Sequence, residues 1–315
     1  MLTQVELTGI RAATSAQVRD RHRHAARELL TAALFLLPSL LVFTVFLFWP
    51  LLRSAVISTY GNDIIGRPTR FTGSHNYQLL LSQPELHEVI LNTLLFTLYT
   101  VLPALVIGIA LALLLQLRVA GIGFFRTLLA TPFGFSVATA SAVFGIFFNP
   151  GVGVLNGFLY PFHIHPVGWL TSPTTALLAV AATTVWLQLG YNVLVLSAGL
   201  QAIPEDVYEA ARLDGARGLS LLRHVTLPLL TPSLFFLLVV STIQSLQSFG
   251  QIDILTKGGP ARSTTTLVYD LYLNAFAFGN SNFGLASAIA MVLFLLVVIV
   301  TAIQFGVLER RVFYR

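Results

Sequence analysis

The sequence predicts an all-α membrane protein with six transmembrane helices. Hydrophobic residues make up 56% of its 315 residues and charged residues only 10%, whereas about a quarter of the residues in soluble domains are charged. Long uncharged apolar runs favour helices over a barrel, because every backbone polar group must be paired inside the bilayer. The chain contains no cysteine, which excludes disulfides, thiolate metal sites and a cysteine nucleophile.

The N-terminal part contains a polar tail and the first predicted span. Residues 1–28 carry five arginines, and we interpret them as a cytoplasmic tail. The first span is predicted at Leu29–Leu52, which has no charge and exceeds the roughly 20 residues that a span requires, so it is too long for the core of a signal peptide. The polar segment Arg53–Glu88 is predicted to be an external loop with a short helix near Tyr77–Leu81.

The remaining spans follow from the apolar runs and their interruptions. Residues 127–204 contain no Asp, Glu, Lys or Arg, which is too long a stretch for one span. A loop rich in Gly and Pro divides it between Asn149 and Pro173, with Trp169 suited to the membrane interface. Spans two to six are predicted at Val89–Leu115, Thr127–Phe148, Thr174–Leu200, Pro232–Ile252 and Phe283–Val307. They complete a predicted membrane domain of residues 29–308, followed by a basic tail of residues 309–315.

The distribution of basic residues predicts the orientation. Of the 18 Lys and Arg, thirteen fall in the two tails and in the loops after spans two and four, and five fall in the other loops. By the positive-inside rule, both termini are predicted to be cytoplasmic. The net charge of +5 is spread between hydrophobic runs, so it does not indicate a nucleic-acid surface. We see no internal repeat of the kind found in many secondary transporters.

The cytoplasmic loop 201–230 is predicted to contain a helix of about three turns. Pro204 suits the start of a helix, Glu205 and Asp206 suit its positive end, and Gly215 suits its stop. Helical spacing places four mostly small residues on one face of this helix, and such a face would permit close docking against another protein. Its members are Val207, Ala210, Ala211 and Asp214.

This loop carries a specific motif. Glu209-Ala210-Ala211 is followed by Gly215, then by Val225 and by Leu227-Pro228, which resembles the EAA loop of ABC-importer permeases, with Val225 where isoleucine is more usual. The resemblance implies a coupling helix that docks into an ATP-binding subunit and transmits its closure as a rigid-body tilt. The implied coupling residues are Glu209, Ala210, Ala211, Asp214, Gly215, Leu227 and Pro228. The alternative is a solvated amphipathic loop between two spans.

The resemblance covers most of the chain. The segments 71–77, 147–151 and 258–266 resemble carbohydrate-type permeases, a family that also takes up glycerophosphates. Within that family, segments 191–192, 200–204, 283–288 and 307–314 resemble the A-type permeases of glycerol-3-phosphate and glycerophosphodiester importers. The implied fold is that of a type I ABC importer permease. The implied solute is glycerol-3-phosphate or a glycerophosphodiester such as glycerophosphocholine, and a sugar such as trehalose or another oligosaccharide is the alternative.

The same resemblance implies the location and the partners. The chain would lie in the bacterial cytoplasmic (inner) membrane, in contact with lipid, beside a homologous second permease subunit. Two ATP-binding subunits would hydrolyse ATP with Mg²⁺, and an external solute-binding protein would deliver the solute. The chain itself has no Gly-x-x-x-x-Gly-Lys-Ser/Thr loop, so we expect it to bind no cofactor and to rely on a separate ATPase.

Polar residues within the predicted spans suggest a solute pathway. Polar side chains at membrane depth usually face a cavity or a neighbouring helix. The candidates form a neutral set suited to hydroxyl-rich solutes: Gln188, Tyr191, Asn192, Gln244, Gln247 and Gln251. The spacing of the last three predicts one shared helix face. Hydrogen bonding between helices is the alternative. No arginine lies deep in a predicted span, so a phosphate would meet no buried cation from this chain.

Other classes of protein are less well supported. A membrane enzyme needs positioned acids, bases or a metal, but the predicted spans contain no Asp or Glu, and Asp253 lies only at a margin. His163 and His165 have no carboxylate nearby in sequence, which disfavours a metal site. An ion-coupled secondary transporter generally uses carboxylates within the membrane. A polysaccharide exporter is disfavoured because the EAA loop is typical of importers that use a binding protein.

Overall fold

The computed structural model describes residues 28, 31–63, 66–117, 120–277 and 281–309, so nearly all of the two predicted tails lies outside the described residues. Two compact units meet between Val56 and Ile57. The first contains helix α1 (Thr31–Ile57), which includes a π turn at Thr44–Phe48. The side chains of residues 31–50 are all exposed within this unit, as expected of an apolar helix surrounded by bilayer or by other chains.

The second unit is helical except for one small hairpin. Its elements in order are β1 (Tyr60–Asn62), β2 (Pro68–Phe71), α2 (His75–Ser82), α3 (Pro84–Leu114), α4 (Ile122–Ala130), α5 (Val137–Phe147), α6 (Val154–Leu159), α7 (Pro173–Gln201), α8 (Glu205–Leu213), α9 (Leu219–Leu246), α10 (Gly250–Leu255), α11 (Leu267–Phe276) and α12 (Phe283–Ile303). Turns of 3₁₀ helix lie at Thr131–Gly134 and Tyr160–Phe162, and π turns lie at Leu222–Thr226 and Gln304–Leu308.

Five described helices, α1, α3, α7, α9 and α12, are long and apolar enough to cross a membrane. The sixth candidate span is a pair in which Ile122–Gly134 and Val137–Phe147 meet at a bend of 104°. The third span, predicted as one helix at Thr127–Phe148, is therefore two helices joined at this bend. Pro132 and Gly134 interrupt the helix, and Ser136 caps the new one by accepting a hydrogen bond from the Thr139 backbone N–H at 3.1 Å.

The fifth span also differs from its prediction of Pro232–Ile252. Helix α9 begins thirteen residues earlier and ends at Leu246, and the separate helix α10 follows. Two prolines, Pro228 and Pro232, lie inside this continuous helix. The π turn at Leu222–Thr226 directly precedes Pro228, and a locally wider turn accommodates a proline ring that an ideal α turn would reject.

The predicted short helix near Tyr77–Leu81 is confirmed as α2, whereas the hairpin before it was not predicted. Strands β1 and β2 pair antiparallel, with Tyr60 opposite Phe71. Buried Asn76 of α2 donates to the backbone oxygens of Ser58 and Tyr60 at 2.8 and 2.9 Å. This side chain therefore fixes the hairpin against α2.

Helix α3 lies at the centre of the packing. In one cluster, its Val101 and Leu105 pack with Leu196 of α7 and with Leu230 and Leu237 of α9. Two further clusters join α3 to α2, α11 and α12, and to α7, α10 and α11. Between membrane helices such contacts stabilise mainly through van der Waals packing, because lipid is as apolar as leucine. Helices α3, α7 and α9 therefore form the framework on which the candidate sites are built.

Candidate functional site

A cavity of about 670 Å³ lies where two interrupted elements face the continuous helix α7. The bend between α4 and α5 forms one wall, the middle of α7 forms a second, and the junction of α9 and α10 forms the third. The lining residues are Pro132, Phe133, Phe135, Val137, Thr184, Leu187, Gln188, Tyr191, Gln244, Gln247, Ser248, Phe249, Gly250 and Gln251. Irregular backbone at membrane depth is tolerated where it lines such a cavity, since the backbone groups then have access to water or a ligand.

Close contact between α7 and the bend fixes the aromatic wall of the cavity. A Cβ on Gly190 would lie 2.5 Å from the Phe133 backbone nitrogen and 2.9 Å from the Ala130 oxygen, so only glycine permits this approach. The Phe133 and Tyr191 rings stack with centroids 5.6 Å apart and an interplanar angle of 27°. This arrangement presents aromatic surface of a kind that packs against the C–H face of a sugar or polyol.

The polar part of the cavity consists of neutral amides and hydroxyls. Gln251 accepts a hydrogen bond from the Ser248 hydroxyl at 2.8 Å, whereas Gln244 and Gln247 are exposed. The Oε1 atom of Gln188 is buried and has no hydrogen-bond partner among the described residues. A buried acceptor without a donor costs about 1–3 kcal/mol. A ligand hydroxyl in the cavity could supply that donor.

Five of the six predicted pathway residues line this cavity, and Asn192 does not. Asn192 is fully buried, its Cβ lies 3.2 Å from the Cβ position of Gly108 on α3, and neither of its amide atoms has a partner among the described residues. The predicted common helix face of Gln244, Gln247 and Gln251 is wrong, because α9 ends at Leu246. The three glutamines line the same cavity from both sides of the break in the helix.

Sequence reasoning missed several residues of the cavity, chiefly Phe133, Phe135 and Ser248. The signals were present as Pro132 and Gly134 within a predicted span, because these residue types commonly interrupt a helix. Trp186 of α7 packs against Phe135 and Phe144, with ring centroids 5.4 and 5.5 Å away.

Helix α8 is the predicted short helix of the cytoplasmic loop. Pro204 has extended backbone angles at its N-cap, and Glu205 and Asp206 lie in the first turn, where negative charge is favoured by the helix dipole. Arg212 lies in the last turn, which is favourable for the same reason. The predicted helix of about three turns is therefore confirmed as a structural element.

Gly215 ends this helix in a Schellman motif. Its φ angle is +87°, a conformation that residues with a Cβ adopt only at a cost. The Gly215 N–H donates to the Arg212 oxygen at 3.0 Å, and the Ala216 N–H donates to the Ala211 oxygen at 2.9 Å, which is the hydrogen-bond pattern of that motif. The glycine therefore sets the direction in which the chain leaves α8.

The surface of α8 combines charged and apolar groups. Glu209, Ala210 and Asp214 are exposed, and Leu213 is 89% exposed. Val207 and Ala211, the other members of the predicted small face, are half-buried. The surface of α8 therefore presents one large apolar side chain beside small and acidic residues.

Helix α8, which carries the predicted coupling residues, and the cavity are joined by the same two helices, α7 and α9. Helix α7 leads from Gln188 to Gln201, directly before α8, and α9 leads from Leu227 and Pro228 to Gln244. A Cβ on Gly199 would lie 2.5 Å from the Ser233 hydroxyl oxygen and 2.9 Å from Leu230. Helices α7 and α9 are therefore in close contact near α8.

The turn between α10 and α11 has dense polar contacts. The Thr264 and Thr265 hydroxyls donate to the oxygens of Gly259 and Gly258 at 2.8 and 3.0 Å. Arg262 forms an ion pair with Asp270 of α11 at 2.7 Å. Burial raises the pKa of the Asp270 carboxyl, and the Arg262 guanidinium counteracts that rise. Residues 258–266 therefore form a well-defined structural element.

Comparison with known proteins gives consistent matches over most of the chain. Residues 7–314 match the family described as binding-protein-dependent transport system inner membrane component. The sn-glycerol-3-phosphate transport system permease protein UgpA of Agrobacterium fabrum is 36% identical over 284 residues, which cover 89% of this chain and 95% of the relative. The sulfoquinovosyl glycerol transport system permease protein SmoG of the same organism is 34% identical over 283 residues, covering 90% and 91%.

Solved structures are also similar in fold. A chain of a bacterial alginate ABC transporter, in complex with an alginate pentasaccharide-bound periplasmic protein, superposes with a TM-score of 0.77. It is 22% identical and covers 91% of this chain and 96% of its own length. A second alginate importer structure gives a TM-score of 0.74 with 22% identity, covering 91% and 99%. The chain therefore has the same overall fold as these solved chains.

Proposed function

The chain belongs to the family of binding-protein-dependent transport system inner membrane components, and from this premise we propose that it moves a glycerophosphate-type solute into the bacterial cytoplasm. It is a multi-pass permease of an ABC importer of the carbohydrate and glycerol-phosphate class. We infer a location in the cytoplasmic (inner) membrane with both termini cytoplasmic. Glycerol-3-phosphate, or a glycerophosphodiester such as glycerophosphocholine, is the proposed solute because UgpA relatives share 36% identity over nearly full length.

The observation that carries the coupling role is the exposed surface of α8. Its last residue, Leu213, is 89% exposed, and the helix is ended by Gly215, which has a positive φ angle. We propose that this surface docks into a cleft of an ATP-binding subunit. Closure of two such subunits on ATP would push α8, and the contact between Gly199 and Ser233 would pass that displacement to α7 and α9 together. ATP and Mg²⁺ would act only on the partner subunits.

The proposed cycle is alternating access around the cavity. ATP-driven closure would open the outer side to an external solute-binding protein, and hydrolysis would restore the inward-facing state. A homologous second permease would complete the pathway. The cavity described above would supply one wall of it, with five predicted residues in contact with solute: Gln188, Tyr191, Gln244, Gln247 and Gln251.

The chemistry of the cavity indicates which part of the solute this chain contacts. The described lining residues include no charged side chain, and the unpartnered Gln188 oxygen would repel a phosphate oxygen and attract a hydroxyl. We therefore propose that this chain contacts the glycerol hydroxyls, and that a cation of another subunit meets the phosphate. A wholly uncharged sugar such as trehalose, or another oligosaccharide, is the second candidate solute, because a neutral lining suits it equally well.

The proposal is tested with the complete importer in proteoliposomes. ATP-dependent uptake is measured for glycerol-3-phosphate, glycerophosphocholine and trehalose, each presented with the cognate binding protein. We expect uptake of one of the two glycerophosphates and none of trehalose. Uptake of trehalose alone would replace the proposed solute but keep the importer role. Uptake driven by a proton gradient without ATP would contradict the importer role in favour of a secondary transporter.

A further inference from the structure

The loop between α5 and α7 presents an unusual apolar surface. We call residues 149–172 the aromatic loop. It contains α6 and the 3₁₀ turn Tyr160–Phe162, and four of its large side chains are more than two-thirds exposed. These are Val152 (81%), Phe158 (71%), Tyr160 (82%) and Phe162 (74%). Such exposure in a short, structured segment calls for a physical explanation.

The aromatic loop is held in shape by one buried side chain. The amide nitrogen of Asn156 donates to the oxygens of Pro150 and Val167 at 3.1 and 3.0 Å. Its amide oxygen accepts from the Val167 N–H at 3.1 Å and from the Trp169 indole N–H at 2.9 Å. Asn156 thus uses both donors and both acceptor sites. The exposed aromatic rings are presented by an ordered scaffold.

The start of the loop is equally defined. The Asn149 side-chain oxygen accepts from the backbone N–H groups of Gly151 and Val152 at 2.9 and 3.2 Å. A Cβ on Gly153 would lie 2.3 Å from the Asn149 backbone oxygen, so the turn requires glycine there. The turn formed by Asn149 and Gly153 therefore leads directly into α6 and leaves the Val152 side chain exposed.

The composition of the loop identifies what covers it. No Asp, Glu, Lys or Arg occurs between residues 127 and 204. The loop also exposes His163 and His165, and a mixture of apolar and polar side chains without carboxylates suits the interface between membrane and water. The exposed patch continues onto α5, where Ile146 is 62% exposed, and α5 belongs to a candidate span. Aromatic residues are enriched where a membrane span meets the headgroup region.

We propose that the aromatic loop is a membrane anchor, with Phe158, Tyr160 and Phe162 inserted at the boundary between lipid headgroups and acyl chains. Asn156 is a positioning residue that holds these rings in a fixed orientation. The anchor secures the loop joining the bent third span to α7, the helix that carries Gln188. It requires no particular solute and therefore stands or falls separately from the proposed function.

The absence of native cysteine makes a direct test possible. Single variants Phe158→Cys and Phe162→Cys carry a nitroxide spin label in the complete importer, reconstituted in phosphatidylethanolamine and phosphatidylglycerol bilayers. Collision rates with oxygen, which concentrates in lipid, and with a water-soluble nickel chelate are measured. Val106→Cys, at a 64% exposed position of α3, provides the membrane reference, and Arg70→Cys, on the exposed strand β2, provides the aqueous reference.

The expected result is that labels at 158 and 162 collide more with oxygen than with the nickel chelate, with values between the two references. Values equal to those of the Arg70→Cys label would overturn the proposal, because the loop would then lie in water. Low collision with both reagents would overturn it as well, since the patch would be covered by a partner protein. Adding Asn156→Ala should increase the mobility of the label at 158, and an unchanged spectrum would exclude the positioning role.

Discussion

The cavity and the surface of α8 are connected by the same two helices, α7 and α9, yet their chemistry differs completely. Around the cavity, the described lining side chains are neutral amides, hydroxyls and aromatic rings. On α8, acids and an arginine surround an 89% exposed leucine. The first surface suits a solute that has lost its water, and the second suits a protein partner in water.

Two long helices span the distance between the two regions. About thirteen residues of α7 separate Gln188 from Gln201, directly before α8, which is ~20 Å of helix. Helix α9 covers a similar distance from Pro228 to Gln244. A pair of helices in close contact transmits a displacement better than a loop, because packed side chains resist compression. Variants that affect only one region should therefore separate solute recognition from energy coupling.

The largest effect is expected from Gly215→Val. A β-branched residue cannot easily adopt a φ angle of +87°, so the Schellman motif should open and α8 should change direction. A backbone strain of ~2 kcal/mol at this position corresponds to about a thirtyfold loss of coupled uptake. We expect uptake in proteoliposomes to fall by that factor while the basal ATPase rate is retained.

The matched control for this variant is Gly123→Ala, because Gly123 lies in α4 with no atom within 4 Å of its Cβ position. It should leave uptake unchanged. Glu209→Lys should uncouple in the same way if the acidic residue contacts the ATPase. Normal uptake by Gly215→Val would contradict the coupling role of α8.

A smaller effect is expected from Gln188→Glu in the cavity. The new carboxylate would repel an anionic solute, and a repulsion of ~1.4 kcal/mol in a partly hydrated cavity corresponds to about a tenfold loss of uptake. ATP hydrolysis without solute should be unaffected. The measurement is uptake of glycerol-3-phosphate at several concentrations.

Gln78→Glu serves as the control for the cavity, since Gln78 is exposed on α2. Equal losses in the two variants would indicate a general charge effect on the anion. Equal uptake by Gln188→Glu and the unmodified chain would show that this glutamine does not face the solute.

Leu213→Ser should weaken the ATPase contact without altering the cavity. If the substitution removes about half of the free energy gained by burying one leucine, ~1 kcal/mol, association with the ATP-binding subunits should become about fivefold weaker. Co-purification at low protein concentration provides the measurement. The exposed Leu81 of α2 gives the control Leu81→Ser, for which we expect unchanged association. A similar loss in both variants would remove Leu213 from the proposed interface.

The smallest effect is expected from Asn192→Leu. This residue is fully buried with unpartnered amide atoms, so an apolar side chain of similar volume should relieve a desolvation cost. We expect Tm to rise by ~2 °C with uptake retained. A selective loss of uptake at unchanged Tm would instead return Asn192 to the solute pathway, as the sequence suggested.

Some features could be predicted from sequence because they depend on local rules. The spans α3, α7 and α12 follow from apolar length, and α8 follows from Pro204, its acidic first turn and Gly215. The angle of the bend after Thr131 could not be predicted from sequence, because the direction of a broken helix depends on what it packs against. Gly190 makes that contact possible, but nothing in its sequence neighbourhood identifies the partner.

The candidate cavity shows the same limit. Gln188 and Tyr191 were found because polar residues are conspicuous in an apolar helix. Phe133 and Phe135 were missed because aromatic residues are common in spans and signal nothing alone. Asn192 is equally polar, yet it points toward α3, since small changes in helix rotation decide between cavity and core. Residue type suggests candidates, and only the packing separates them.

The π turn at Leu222–Thr226 has a consequence for the tolerated length of the chain. A π turn holds one residue more than an α turn, so it sets the rotational phase between α8 and the rest of α9. Deleting one residue there would restore α geometry and leave the two flanking parts of the helix in nearly the same rotational phase. A single-residue deletion elsewhere in α9 would instead rotate everything before it by about 100°, so this short stretch should tolerate such a deletion better than the rest of the helix.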